Sequence, residues 1–322
     1  MFFSNILIIF LLHKNNEISG FSFHRPKFCS TITWNPNAIT FATRATLGLN
    51  PYSIFINTNN TLFVLSRDEN QMLALFDNNT NPTELFSGIL SRPLPLSLFV
   101  ANNGDIYVDS NEQVYKLIWN IRTVHTVMYV KNSCSGLFLD INDTLFCSMA
   151  TQNQVVKQWL GDPIINSTAV AAGTGFSGNA SNMLDIPQGI FVDENFHLYV
   201  ADCGNHRIQR FPEGQLNGIT ISTGNISLRC PTGITLDSDG YLFIVDQSNN
   251  RIIGSGSYGF RCLVGCNGEG SASDQLDYPR SLSFDTYGNM FVTDYANNRI
   301  QKFLLLKNSC GKLKNLYNKI NI

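Results

Sequence analysis

Three segments of this 322-residue chain spell the same pattern. PQGIFVDENFHLYVADCGNHRIQRF runs from Pro187 to Phe211, PTGITLDSDGYLFIVDQSNNRIIGS from Pro231 to Ser255, and PRSLSFDTYGNMFVTDYANNRIQKF from Pro279 to Phe303. A fixed-period repeat constrains a fold more than any local signal, because one unit cannot bury its apolar face without a neighbour. Three weaker copies precede these, opening at Pro51, Pro95 and Cys134, where Cys takes the Pro position. The six starts are 44, 39, 53, 44 and 48 residues apart. Six units of about 40–50 residues predict an all-β propeller of six four-stranded antiparallel blades.

Each unit reads as strands. In the fourth, Gly189–Val192 and His197–Val200 are short apolar runs separated by the turn residues Asp193–Phe196, and Arg207–Phe211 alternates at period two. Cys203-Gly204-Asn205 supplies a turn tolerant of positive φ. The opening Pro suits a first strand position, where its missing N–H costs nothing. Outer strands are expected at Gly218–Ser222, Thr168–Ala172 and Arg261–Val264.

The pattern P-x-G-I-x-x-D…G-x-L-Y-V-x-D…N-x-R-I-Q-x-F resembles the NHL repeat, as does the spacer from Gly173 to Pro187. The resemblance covers roughly residues 29–306 and is sharpest over the last three copies. The eponymous Asn-His-Leu is altered throughout, to Asn205-His206-Arg207, Asn249-Asn250-Arg251 and Asn297-Asn298-Arg299. The resemblance implies six blades, in agreement with the independent count.

The sixth copy has no outer strand after Phe303, whereas Thr31–Ala42 is a spare strand ahead of the first copy. Its insertion into the last blade would close the ring and remove open sheet edges. Cys29 and Cys310 flank the two strands so joined, and a disulfide between them would clasp the ring, contributing roughly 5 kcal/mol in the chain-entropy model. Cys203 and Cys230 fall in loops on one rim and form a second candidate pair. Cys262 and Cys266 are expected on one regular strand, too far apart to bond, and Cys134 and Cys147 lie on adjacent strands with no pairing assigned.

Eight cysteines point to an oxidising compartment. Phe2–Leu12 is too short to span a membrane and resembles a signal-peptide core, so residues 1–20 are expected to be a signal peptide and the protein secreted. Six Asn-x-Ser/Thr sequons, at Asn59, Asn78, Asn142, Asn166, Asn179 and Asn225, are then glycosylation candidates. In a chain so rich in Asn, Ser and Thr their number does not itself argue for secretion. The basic tail 311–322 belongs to no repeat and is expected to be loosely ordered.

With 14% charged residues and a net charge of −2, the chain has no basic face for nucleic acid. Asp202, Asp246 and Asp294 recur at one position, each five residues before Arg207, Arg251 or Arg299. Groups repeated in successive blades serve the blade, and these pairs read as structural. The first three blades depart, with Ser66 and Met149 at the Asp position and Asp109 offset by one residue. The five histidines show no ligand spacing, Cys262-x3-Cys266 has no nearby His, and Gly173-x-Gly175-x-x-Gly178 opens no helix of a βαβ unit. No catalytic residue, metal or cofactor is assigned.

The expected function is a monomeric, non-catalytic platform for a protein, peptide or glycan, with specificity in the divergent loops of residues 51–160. The resemblance also admits a metal-dependent lyase or hydrolase of the peptide-amidating type, with its site in the central channel. It further admits the substrate-recognition part of an NHL-containing ubiquitin ligase. The first strands, which are expected to line the channel and place Ser53, Ser97, Gly136, Gly189, Gly233 and Ser281 at the exposed position, offer no His and few acids. Expressed in a secreting eukaryotic cell, the protein is expected to lose its first ~20 residues, the length typical of a signal peptide, and to carry glycan and few free thiols. Intact mass after alkylation checks this, and a retained Met1 with eight free thiols would sink it.

Overall fold

The computed structural model describes residues 25–66, 71–76, 79–87, 95–110, 112–162, 164 and 167–306. Cys310, the tail 311–322 and residues 1–20 lie outside them. Each repeat forms one four-stranded antiparallel sheet, and six such sheets make the ring. The innermost strands are Pro51–Ile56, Leu98–Val100, Gly136–Leu139, Pro187–Val192, Pro231–Leu236 and Pro279–Phe284. Second strands such as Leu198–Asp202, Leu242–Asp246 and Met290–Asp294 are fully buried, because adjoining blades cover both of their faces. Outer strands face solvent and can be brief: Ile219–Thr220 keeps only two of the five residues expected from the sequence.

The last blade takes its outer strand from the N-terminal side of the chain. Ile39–Ala42 pairs with Arg299–Phe303, in the register Ile39 to Lys302 and Thr40 to Gln301. Only the end of the expected stretch 31–42 joins the ladder. Ahead of it Trp34 is buried, donates Nε1–H to the Gly288 carbonyl at 2.8 Å, and packs on Phe28 at 5.2 Å. Phe28 also meets Phe243 and Phe284, so this segment fills the seam between blades 5 and 6.

Alternating strand direction gives the ring two faces. Inner strands begin, and second strands end, on a loop face carrying the connections between blades; for example Pro187 lies opposite Asp202. The turns between first and second strands, such as Asp193–His197, lie on the opposite, turn face.

The residues expected to face the channel do line it, and they also abut the next blade. A β-carbon on Gly136 would lie 2.8 Å from the Gln188 carbonyl oxygen, and one on Gly189 2.5 Å from that of Thr232. At the junction of blades 6 and 1, Ser281 and Ser283 accept the Ile54 and Ile56 N–H groups at 3.4 and 3.1 Å. Six strands converging on one axis come so close that this position has room only for hydrogen or a small hydroxyl. Two residues on, the strands diverge enough for rings: Phe55, Phe99, Phe138 and Phe191 pack in sequence at centroid distances of 5.2, 5.2 and 5.0 Å.

Disulfides join Cys203 to Cys230, Cys134 to Cys147 and Cys262 to Cys266. The last corrects the sequence expectation. The strand Gly259–Val264 ends before Cys266, and Gly265 turns the chain at φ +73°. The two Cα atoms are thus 6.0 Å apart, where four regular strand steps would give about 13 Å. Cys29 is also disulfide-bonded. Gly189→Ala is expected to lower stability by about 1–3 kcal/mol, the usual range for overpacking, because the atoms a β-carbon would meet, Thr232 O and Gly233 Cα, are backbone and not the end of a flexible side chain. Urea denaturation measures this, and an unchanged midpoint would show that the inner strands are not in contact.

Candidate functional site

The recurring Asp and Arg residues hold the loop face together. Asp202 Oδ2 accepts Arg207 Nε–H at 2.7 Å and Asn205 Nδ2–H at 2.9 Å, while Oδ1 accepts the Asp185 N–H at 2.7 Å. The remaining Arg207 donors reach the carbonyls of Asn179, Ala180 and Met183 in the connection entering the blade. Asp246 with Arg251 and Asp294 with Arg299 repeat this at 2.8 and 2.6 Å. Removal from water pushes the Asp202 and Asp294 carboxyls up, against the downward pull of these donors. Each clamp pins the connection between two blades.

Each divergent blade has a substitute. Ser66 donates to the Leu49 carbonyl at 2.7 Å, Asp109 gathers backbone N–H groups, and blade 3 has the buried Cys134–Cys147 disulfide. A second set of bonds runs from blade to blade. Side chains of Asn153, Asn250 and Asn298 accept the N–H of Ile186, Tyr278 and Asn50, and His206 Nδ1 accepts that of Cys230. All four acceptor residues and all four donor residues have left-handed backbone. Such conformations cost side-chain-bearing residues energy and persist only where surroundings impose them, most unusually for β-branched Ile186. His206 is thereby a joint between blades 4 and 5.

The channel these joints surround has a free volume of about 140 Å³. Its loop-face mouth is lined by Tyr52, Leu96, Ser135, Gln188, Thr232 and Arg280, the second residue of each repeat. The Phe rings narrow the lower part, and Pro26 lines the far end. The segment carrying Pro26 is docked across the turn face: the Pro26 carbonyl accepts the Ser238 N–H, and Phe28 N–H donates to Asp237. Arg25 pairs with Glu194 at 3.7 Å, and Lys27 with Asp239 at 3.0 Å.

Arg280 dominates the mouth. Its guanidinium carbon lies 4.2 Å from the Tyr52 ring centroid and 4.6 Å from that of Tyr295, and Nη1 donates to Tyr52 Oη at 2.6 Å. Its Nε is buried without a hydrogen-bond partner. The sequence reading missed this cluster. The signal was present: the residue after the opening Pro changes in every blade while its neighbours repeat. Two further clefts open between the divergent blades. One, of about 310 Å³, includes Asn57, Asn103 and Trp119; the other, of about 530 Å³, includes Lys116, Asp140 and the 57% exposed Trp159. Asn59, Asn142, Asn179 and Asn225 are exposed, and Asn78 and Asn166 lie outside the described residues. Among the described residues no group of three or more His, Cys, Asp and Glu side chains could hold a metal, and no helix is long and apolar enough to cross a membrane.

Residues 184–211 match the model of the NHL repeat. No curated protein sequence matches the chain. Among solved structures, a protein of unknown function from Bacteroides thetaiotaomicron is 13% identical at a TM-score of 0.68, over 84% of this chain and 76% of its own. A streptogramin B lyase is 14% identical at 0.61, over 87% and 100%. An auxiliary nutrient binding protein from Bacteroides thetaiotaomicron is 13% identical at 0.62, over 88% and 75%. At these identities the likeness is one of fold.

Asp109 gives the site region a pH dependence. Its carboxylate is wholly buried at the junction of blades 2 and 3, receiving the N–H groups of Leu96, Ser97 and Cys134 at 2.9, 2.8 and 3.1 Å. Burial pushes its carboxyl up to about 7 from 3.8, and the N–H donors only partly oppose this. A folded-state value above the unfolded one means that the folded protein holds more protons between these limits. The contribution to stability is therefore greatest below pH 3.8 and falls as pH rises toward 7. Asp109→Asn is expected to remove this part of the slope, so its urea midpoint changes less than that of the wild type between pH 4.5 and 7.5. An identical pH profile in the variant would refute it.

Proposed function

From a six-bladed β-propeller that carries an NHL repeat, we propose a non-catalytic binding protein that seats its ligand at the loop-face mouth of the central channel. The observation that carries this reading is the chemistry of the lining. Tyr52, Gln188, Thr232 and Arg280 present hydroxyl, amide and guanidinium groups above an apolar floor of Phe side chains. Among the described residues lining the channel there is no His, Asp, Glu or Cys. A concave, mostly apolar site with a few convergent polar groups suits recognition. General acid–base catalysis calls for a group that exchanges its proton near the working pH, and guanidinium does not.

The similar structures offer both a binding protein and lyases. A variant of the virginiamycin B lyase from Staphylococcus aureus with one His replaced by Ala is described as catalytically inactive, and among its described lining residues this channel has no His to play such a part. The nutrient-binding relatives support the binding reading. The three described disulfides fit an oxidising environment, so we place the protein outside the cytosol.

Gln188 is half-buried at the mouth, and its side chain makes only a 3.5 Å contact to the Ile186 carbonyl. Gln188→Trp should therefore obstruct the seat without unlinking the blades, which a thermal melt checks. Wild-type protein incubated with a mixed pool of small molecules and short peptides is expected to retain particular members, and mass spectrometry should recover them chemically unchanged. The variant is expected to retain none of these. Recovery of converted products would make the protein an enzyme, and equal retention by the variant would move the seat elsewhere.

A further inference from the structure

Resting on that seat, we propose that the group recognised in the channel mouth is a single carboxylate, held by Arg280. The other repeated arginines show what an occupied guanidinium looks like in this fold. Arg207, Arg251 and Arg299 each have an Asp carboxylate at 2.6–2.8 Å. Among the described residues no ion pair involves Arg280. It is nonetheless half-buried, lines the channel, and leaves Nε both shielded and unpartnered. A positive charge kept out of water without a counter-charge is costly, and a ligand anion removes that cost.

The side chain is also fixed in advance. Its guanidinium sits in the corner formed by the Tyr52 and Tyr295 rings, which lie 6.0 Å apart and nearly perpendicular, and the hydrogen bond to Tyr52 Oη restrains its rotation. Little further ordering is then needed when a ligand arrives. A carboxylate fits better than a phosphate for two reasons. The planar fork of Arg matches two coplanar oxygens, and among the described residues the lining has no Lys or second Arg to balance a second charge. Below Arg280 the surroundings turn apolar, with Phe55, Phe99 and Phe138. The ligand is thus a small acid with an apolar body, or a peptide ending in an apolar residue with a free carboxyl terminus.

The test is an NMR titration of the full chain with benzoate and N-acetylphenylalanine, each beside its neutral amide. Both acids or N-acetylphenylalanine alone should bind roughly tenfold or more tightly than the matching amide, the scale of a charge-assisted bidentate contact. Preference shown for N-acetylphenylalanine alone points to a peptide end, and preference shown for both points to a free acid. Arg280→Gln should abolish the preference for acid over amide, and Arg280→Lys, which keeps charge but loses the fork, should give a preference between the two. The comparison of acid with amide separates recognition from any structural part Arg280 plays in joining blades 6 and 1. Equal binding of acid and amide, a preference that survives Arg280→Gln, or no binding of any probe overturns the assignment. Amide binding that Gln188→Trp abolishes would leave the seat itself standing.

Discussion

The convergence of six inner strands on one axis is the constraint from which the rest of the molecule follows. Around that axis each strand presses its backbone against the next, and the third residue of each repeat has almost no volume to occupy. Gly136 and Gly189 meet the constraint by having no side chain, and Ser281 meets it by turning its hydroxyl into a bond with the neighbouring backbone. Close approach keeps the channel narrow, so that what enters must be small or thin. Two residues further along, the gap widens, and four successive Phe rings fill it. The apolar floor of the candidate site is therefore a by-product of how the blades pack.

The loop face is organised by charge. Each clamp ties a buried Asp to an Arg and to the backbone of the incoming connection, so the carboxylate stays partnered while the loop loses its freedom. The clamp of the sixth blade also builds the site. Tyr295 directly follows Asp294, and the turn it occupies is held by Asn297 and Arg299 on that carboxylate. Removing the clamp would release the ring that packs against Arg280. On the opposite face the segment from Arg25 to Trp34 does two things at once: it seals the seam of blades 5 and 6 and places Pro26 at the lower end of the channel.

The first three blades show how the same architecture survives the loss of its repeated charges. One uses a serine hydroxyl, one a buried carboxylate bonded to three backbone donors, and one a disulfide. None of these could be inferred from a single repeat position, because each draws its partner from a different part of the chain. Asp109, for instance, takes one donor from Cys134 in the next blade.

What the sequence determined by itself was the architecture. The period of the repeat, the alternation within it and the missing last strand were enough for six blades closed by residues near the N-terminus, since each rests on local pattern. The strand boundaries, the turn that brings Cys262 to Cys266, and how closely Gly136 and Gly189 press on the next blade were decided by tertiary structure. The site belongs to the second group. Tyr52, Arg280 and Tyr295 come from opposite ends of the chain and meet only because the ring closes, and a repeat pattern records what each blade needs, not what the blades create where they meet.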